Sequence, residues 1–462
     1  MRRTVDRLIG FLCRRILRIF FRRIERVGHR RIPGVEEGPR PPMVVVANHV
    51  NGLIDPMFLL GTLRLPARLL GKSTLWKIPL LAQILDLAGV LPVFRRQDEG
   101  ADTSRNSATF ERCHEELARG GVVAIFPEGT SHDEPRLQPL RTGAARIVLE
   151  AEARRGPLGS RILPVGLQFE DRGRFRSRAL VVVGDALDPA EEIALYADDP
   201  VAAVRRLTER VAEALARVTL NYSSWEEARL VERGARILEN DDLELPLERR
   251  LATEFAARRD LLAGLSALRR THPAVVSEAV TAARAYDELL SATGLRDEQV
   301  VASYPVERIA SYLATQLLSG FVALPFALVG ALLHLLPFGV VRGIARRVRD
   351  EPNQIATYKI FPGIVIYPLW WAGLAWFAGS RGGAPAAIAA LLFAPLTGGL
   401  ALRAFDRWDR LVREGRAFLL LRGRREIAEH LRRLRHEADR RIDALVILWT
   451  EQQAFDPDLR RG

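Results

Sequence analysis

Residues 43–56 read MVVVANHVNGLIDP, an apolar burst of five residues that runs into a polar turn. An unbroken apolar run of this length is typical of a strand that is buried on both faces of its sheet. Similar bursts recur along roughly the first 220 residues, with helical stretches between them. Strands are predicted at 43–47, 68–71, 89–94, 122–126, 162–169 and 179–183, and helices at 104–118 and 142–154. This alternation predicts an α/β domain.

The composition excludes several classes of protein. The chain has 462 residues, 48% hydrophobic and 27% charged, so it is neither a disordered tail nor a small disulfide-stapled domain. Its two cysteines, Cys13 and Cys113, exclude a cysteine zinc ribbon and fit a reducing compartment. The net charge of +12 suits either nucleic acid or an anionic membrane, so the position of the charge must decide between them.

The first thirty residues carry a basic amphipathic pattern. An apolar row and an arginine row each repeat every four residues, on opposite sides of a helix. The apolar row is Leu12, Ile16, Phe20 and Ile24, and the arginine row is Arg14, Arg18, Arg22 and Arg26. The alternative is a surface helix packed on its own domain. We expect residues 1–40 to form a basic helix that lies in the headgroup layer of an anionic membrane.

Three later stretches, 313–341, 360–380 and 382–402, contain no formal charge. Each is long enough to cross a hydrocarbon core about 30 Å thick as a helix, which predicts a membrane protein. Arginine-rich segments follow the first and third runs, so we expect a multi-pass protein of the cell membrane with its α/β domain on the cytoplasmic face. The second and third runs then form a hairpin, and the first run re-enters. The competing interpretation is a single span for the first run.

The pattern divides the chain into five predicted regions. These are a membrane-associating helix at 1–40, an α/β domain at 41–222, a helical linker at 223–305, a hydrophobic membrane region at 306–402, and a charged helical tail at 403–462.

His49 and Asp55 are suited to acid–base chemistry. A carboxylate can hold one imidazole nitrogen as a donor while the other nitrogen takes a proton. Five residues separate the two, so they can meet only if the loop turns between them, and Asn51 and Gly52 are good turn formers. Taken alone, such a pair is more often two unrelated surface residues.

Three further segments supply partners for this pair. They are GVLPVFRRQD at 89–98, FPEGTSHD at 126–133 and ILPVGLQF at 162–169. Loops at strand ends converge in α/β sheets, so we expect a common site. Its members would be His49, Asp55, Arg95, Arg96, Glu128, Gly129 and Thr130. The arginines suit a phosphate group, glycine lets backbone amides approach an anion, and threonine adds a hydroxyl donor.

The four segments, in this order, resemble the four sequence blocks of the PlsC-like (HxxxxD) glycerolipid acyltransferase family, over about residues 40–220. The resemblance implies a mixed sheet flanked by helices. It implies that His49 is the general base and Asp55 its orienting residue. It also implies that Arg95 or Arg96 grips the acceptor phosphate, with Glu128 and Gly129 in the third block and Pro164 in the fourth.

The segments also depart from the usual family pattern. Five residues lie between the histidine and the aspartate where the family usually has four. With Asn51 and the extension through Ser131, this longer form resembles the branch of glycerol-3-phosphate and dihydroxyacetone-phosphate acyltransferases. Ser131 stands where the lysophosphatidate branch commonly has arginine, so phosphate binding would fall to Arg95, Arg96 and Arg141.

The resemblance implies transfer of a fatty acyl group from an acyl-CoA or an acyl carrier protein to glycerol-3-phosphate or 1-acylglycerol-3-phosphate. It implies no cofactor and no metal, and we expect His132 to lie in a solvated loop. The alternatives are another lysolipid acceptor and an inactive membrane adaptor that kept the fold. Nucleic acid is not expected as a partner, because the arginine rows flank apolar residues rather than interleaved aromatic ones.

Overall fold

The computed structural model describes residues 2–36, 38–95, 103–239, 250–302, 306–347 and 352–455. Two compact units make up the chain. The first consists of Met1–Asn221 and Asp350–Thr357, and the second of Tyr222–Arg349 and Tyr358–Gly462. A short segment from late in the sequence therefore belongs to the amino-terminal unit.

The first unit contains a seven-stranded sheet. The strands are β1 Arg23–Val27, β2 Met43–Ala47, β3 Ala67–Lys72, β4 Leu91–Val93, β5 Val122–Ile125, β6 Arg161–Phe169 and β7 Arg178–Val183. Their order across the sheet is β1-β7-β6-β2-β5-β3-β4, and every neighbouring pair is parallel except the antiparallel pair β6 and β7. The predicted α/β fold with a mixed sheet is confirmed.

Seven α-helices lie in the described part of the same unit, before residue 221. They are α1 Arg2–Phe20, α2 Ile54–Thr62, α3 Pro79–Ala88, α4 Asn106–Ala118, α5 Gly143–Arg155, α6 Ala190–Tyr196 and α7 Pro200–Val218. All five residues of β2 are fully buried, as expected for a central strand that is covered on both faces. Since β2, β5 and β6 run parallel, the loops that follow them leave the sheet at the same edge.

The amino-terminal helix is shorter than the arginine pattern predicts. It ends at Phe20, and residues 23–27 instead form β1, which pairs in parallel with β7. The expectation of one helix through Ile24 and Arg26 is therefore wrong. Positions four apart share a face both in a helix and in a strand, so the end of the arginine row fits either structure. Phe20 and Phe21 are buried at the point where the chain leaves the helix and enters the sheet.

The second unit contains only helices among its described residues. They are α8 Trp225–Glu239, α9 Leu251–Thr271, α10 Pro273–Thr293, α11 Asp297–Val301, α12 Val306–Arg346, α13 Ile355–Gly423 from Tyr358 onward, and α14 Arg425–Phe455. Asp297 is fully buried, where it accepts hydrogen bonds from the Tyr286 hydroxyl (2.7 Å) and Arg435 Nε (3.2 Å). This cluster ties α10, α11 and α14 together.

The helices α12 and α13 are long and apolar enough to cross a membrane. In 324–346 and in α13 the apolar side chains are largely exposed, with Leu332 at 73% and Trp376 at 76%, so no described residue of the unit covers them. Between them the indole of Trp371 donates to His334 Nε2 (2.9 Å), and His334 Nδ1 donates to the Gly330 carbonyl (2.7 Å). Exposed apolar surface of this extent indicates association with a membrane.

The helix α13 contains a sharp reversal. Gly383 has φ +71°, and a Cβ placed on Gly379 would lie 3.0 Å from the Cβ of Ala387. Residues eight positions apart approach this closely only if the chain turns back, so the predicted hairpin tip lies here. By contrast, α12 is one continuous helix that accommodates Pro325 and Pro337, and the expected re-entrant break in the first run is absent.

The packing of Phe21 gives a test of this arrangement. The Phe21 ring is 1% exposed and lies 5.2 Å from the ring of Phe58 and 5.6 Å from that of Phe169. Replacing it with alanine leaves a cavity, so Phe21→Ala should lower the free energy of unfolding by about 3–5 kcal/mol. Urea denaturation in detergent measures this loss.

The matched control is Phe11→Ala, because Phe11 lies on α1 and is 43% exposed. The control should change stability by less than about 1 kcal/mol. Equal small effects of both substitutions would show that residues 20–27 do not pack against the sheet.

Candidate active site

His49 and Asp55 form a hydrogen-bonded pair at the carboxyl end of β2. His49 Nδ1 lies 2.9 Å from Asp55 Oδ2, and the same oxygen accepts hydrogen bonds from the backbone N–H groups of Val50 (2.8 Å) and Asn51 (2.7 Å). The loop turns at Gly52, where φ is +40°, and Asp55 lies in the first turn of α2. The turn that the spacing requires is therefore present.

The pairing leaves one imidazole nitrogen open. A carboxylate accepts, so Nδ1 carries the hydrogen and Nε2 keeps its lone pair. Within the described part of the chain, Nε2 of His49 has no hydrogen-bond partner, and 18% of the side chain is exposed. The Phe126 ring stacks on the imidazole at 4.3 Å between centroids, which fixes the plane of the ring. An imidazole held in this way can accept a proton at Nε2.

Glu128 holds the backbone beside this base. Its Oε1 accepts from the N–H of His49 (2.7 Å), and its Oε2 accepts from the N–H of Gln138 (2.8 Å) and bonds to His132 Nε2 (2.5 Å). The carboxylate is 3% exposed and is occupied by protein donors. The expectation that His132 lies in a solvated loop is therefore wrong.

The turn after β5 presents free donors. Gly129 has φ +78°, and its N–H donates to the carbonyl of Phe126 (3.0 Å). In the described ranges, the N–H groups of Thr130 and Ser131 have no protein acceptor. Successive backbone N–H groups in such a turn form a concavity suited to an anion.

Two arginines meet this turn. Arg95 Nη1 donates to the carbonyl of Gly129 (2.5 Å). The exposed Arg141 packs along Gly129, with its Nε 3.7 Å from the position that a Cβ would take there. The structure thus brings Arg95, Arg141, Gly129 and Thr130 together, whereas Arg96 lies outside the described residues.

Two predicted site residues lie inside the protein. Asn51 is fully buried, and its side-chain amide lies 3.5 Å from the carbonyl of Arg172. Pro164 is buried in β6, in register with Val46, and its carbonyl accepts from the N–H of Gly184 (3.0 Å). Both support the loops rather than line their open side.

Arg172 is a residue of the site that the sequence did not indicate. It donates to the carbonyls of Val50 (3.1 Å) and His132 (3.4 Å) and forms an ion pair with Asp133. It lies in the loop after β6, which leaves the sheet at the same edge as the loop after β2. The available signal for Arg172 is its position: the apolar run predicts β6, and Arg172 lies in the loop that follows this strand.

Comparison with known proteins places these residues in a family. Residues 29–168 match the family model described as Acyltransferase. This part of the chain is similar to the acyltransferase family. The matched range contains every site residue predicted from the sequence and excludes Arg172.

Relatives of this domain include longer proteins. Glycerol-3-phosphate O-acyltransferase 2 of Saccharomyces cerevisiae is 26% identical over 58% of this chain and 38% of that protein. Lyso-ornithine lipid O-acyltransferase of Pseudomonas aeruginosa is 36% identical over 33% of this chain and 52% of that protein. The crystal structure of the 1-acyl-sn-glycerophosphate acyltransferase PlsC from Thermotoga maritima matches 48% of this chain and 83% of that chain, with TM-score 0.35 and 19% identity. The chain thus spans 38% and 52% of the two curated relatives.

The role of Glu128 leads to a prediction. In Glu128→Gln an amide N–H₂ replaces one acceptor oxygen and faces the donors of Gln138 or His49. A buried donor without an acceptor costs about 1–3 kcal/mol, so we expect the free energy of unfolding to fall by that amount. Glu134→Gln, on an exposed side chain six positions away, should leave stability unchanged. Equal denaturation midpoints for the two variants would contradict the structural role proposed for Glu128.

Proposed function

We propose that this chain transfers a fatty acyl group from a thioester to the hydroxyl of a phosphorylated glycerol compound, either glycerol-3-phosphate or 1-acylglycerol-3-phosphate. The observation that carries the proposal is the hydrogen-bonded pair of His49 and Asp55, which leaves Nε2 of His49 open. The acyltransferase domain and the names of the relatives support it. The acyl donor is an acyl-CoA or an acyl carrier protein, used as a co-substrate.

The proposed reaction needs no covalent enzyme intermediate. Nε2 of His49 takes the proton of the acceptor hydroxyl while the oxygen attacks the thioester carbonyl. The C–O bond forms, and the carbonyl electrons move to the carbonyl oxygen. Collapse breaks the C–S bond, and the leaving thiolate takes the proton from His49.

Each remaining residue has a proposed role. Asp55 holds the tautomer of His49, and Glu128 holds its backbone. Arg95 and Arg141 lie on the turn where the phosphate of the acceptor would bind. Arg96 stays a predicted phosphate ligand from the sequence.

A second acceptor class is favoured by one comparison. The lyso-ornithine lipid O-acyltransferase has the higher identity of the two curated relatives described above. An ester on another lysolipid is therefore the alternative product. The other alternative, an inactive membrane adaptor, would not need a histidine whose Nε2 is free to accept a proton.

We propose that the protein resides in the cell membrane as a multi-pass protein with the catalytic domain on the cytoplasmic face. Contacts within the second unit limit the number of spans. Gln299 of α11 donates to Glu414 (3.1 Å) and Asp297 bonds to Arg435, so the chain returns to its starting side between 302 and 414. The number of crossings is then even. The hairpin of α13 supplies two of these crossings.

The base gives the direct test. With labelled acyl-CoA and either acceptor, His49→Ala should lower kcat by about 10²–10⁴-fold, because the general base is removed. His430→Ala, on an exposed position of α14, is the control and should keep full turnover. A His49→Ala protein that retains full activity would eliminate the proposed mechanism.

The topology can be tested by cysteine labelling. Burial raises the pKa of Cys13 to about 11 and that of Cys113 to about 12, so both native thiols stay protonated and slow to react at neutral pH. An impermeant maleimide applied to intact cells should label Arg381→Cys at the hairpin tip. Arg347→Cys, in the basic segment after α12, should react only after the cells are opened. The reverse pattern would overturn the orientation.

A further inference from the structure

The hydroxyl of Ser131 is held by a segment from far along the sequence. Asn353 Nδ2 donates to Ser131 Oγ at 3.0 Å, and Gln354 Nε2 donates to the same oxygen at 3.3 Å. These residues belong to the segment 352–357, called here the connector, which follows α12 in sequence and is part of the first unit. An oxygen that accepts two N–H groups has used both lone pairs, so its own hydrogen is left to donate. Among the described residues that hydrogen has no acceptor.

The connector is fixed against the loop that carries the base. The N–H of Leu53, at the start of α2, donates to Thr357 Oγ1 (3.2 Å). Gly52 leaves room for it, because a Cβ there would lie 2.5 Å from Gln354 Oε1 and 2.8 Å from Thr357 Oγ1. Ala356 is fully buried and Thr357 is 8% exposed. The connector is therefore a packed part of the site.

The surroundings of Ser131 suit an anion. Its N–H and that of Thr130 are free in the described structure, and Arg141 lies along the neighbouring Gly129. Donors of this kind, gathered on one turn, match the oxygens of a phosphate.

We propose that Ser131 donates its hydroxyl hydrogen to the phosphate of the acceptor, and that Asn353 and Gln354 are positioning residues that aim it. The assignment rests on the proposed function, because it names the group that binds the acceptor of that reaction. It predicts that the connector controls the affinity for the acceptor and leaves that for the acyl donor unchanged.

Kinetics of the full-length protein in detergent test the proposal. Ser131→Ala should raise the KM for glycerol-3-phosphate by about 10- to 100-fold, the loss expected for a hydrogen bond to a charged group. The KM for acyl-CoA should not change. Ser131→Thr keeps the hydroxyl and should restore most of the affinity.

A double-mutant cycle separates positioning from simple packing. The Asn353→Ala/Gln354→Ala variant should also raise the acceptor KM, but should add little when combined with Ser131→Ala, because both changes remove the same aimed hydroxyl. Additive effects, or a KM that is unchanged in Ser131→Ala, would overturn the proposal. The control is Gln452→Ala, which removes an exposed amide–hydroxyl bond to Thr271 in the second unit and should change neither KM.

A binding measurement distinguishes this proposal from the proposed function. Calorimetric titration with glycerol-3-phosphate needs no turnover. If the wild-type protein binds it without transferring an acyl group to it or to lysophosphatidate, the proposed function fails. Weaker binding by Ser131→Ala and by Asn353→Ala/Gln354→Ala then still supports the phosphate assignment. Absence of binding by the wild type, or equal binding by all variants, would refute it.

Discussion

The candidate site depends on the burial of one carboxylate. Asp55 is fully buried, and a charged group in that position costs several kcal/mol unless donors replace its water. Its Oδ2 meets the Nδ1 of His49 and the N–H groups of Val50 and Asn51, and the start of α2 adds a favourable dipole. These contacts require one path for residues 49–55, with the reversal at Gly52. The orientation of the base therefore follows from satisfying the buried charge.

A second buried carboxylate fixes the other side of the same histidine. Asp55 holds the ring of His49, while Glu128 holds its backbone N–H. Asp55 follows β2 at the start of α2, and Glu128 lies in the turn after β5; these two strands are adjacent and parallel. In an antiparallel pair the segments that follow them would leave opposite edges of the sheet. The sheet topology thus sets the position of His49, and the two carboxylates fix the orientation of its backbone and its ring.

Local patterns in the sequence were enough for six of the seven strands, because apolar bursts act over a few positions. The pairing of His49 with Asp55 was expected only in the company of the other three segments. Local patterns failed where long-range packing decides. Residues 23–27 fit a helix as well as a strand, and only pairing with β7 selects the strand. Arg172 contacts Val50, 122 positions away, and Asn353 contacts Ser131, 222 positions away, and such distant contacts carry no signal in spacing.

The connector lies between two apolar helices in the sequence, yet it belongs to the α/β unit. Apolar side chains such as Leu332 and Trp376 are exposed in the helices before and after it, whereas the connector packs into the α/β unit. An ordinary loop between two apolar helices needs only to be polar and short. This one also supplies the acceptor for the N–H of Leu53, which α2 cannot satisfy within its own first turn. The side chains of the connector are therefore constrained by the geometry of the site within the first unit.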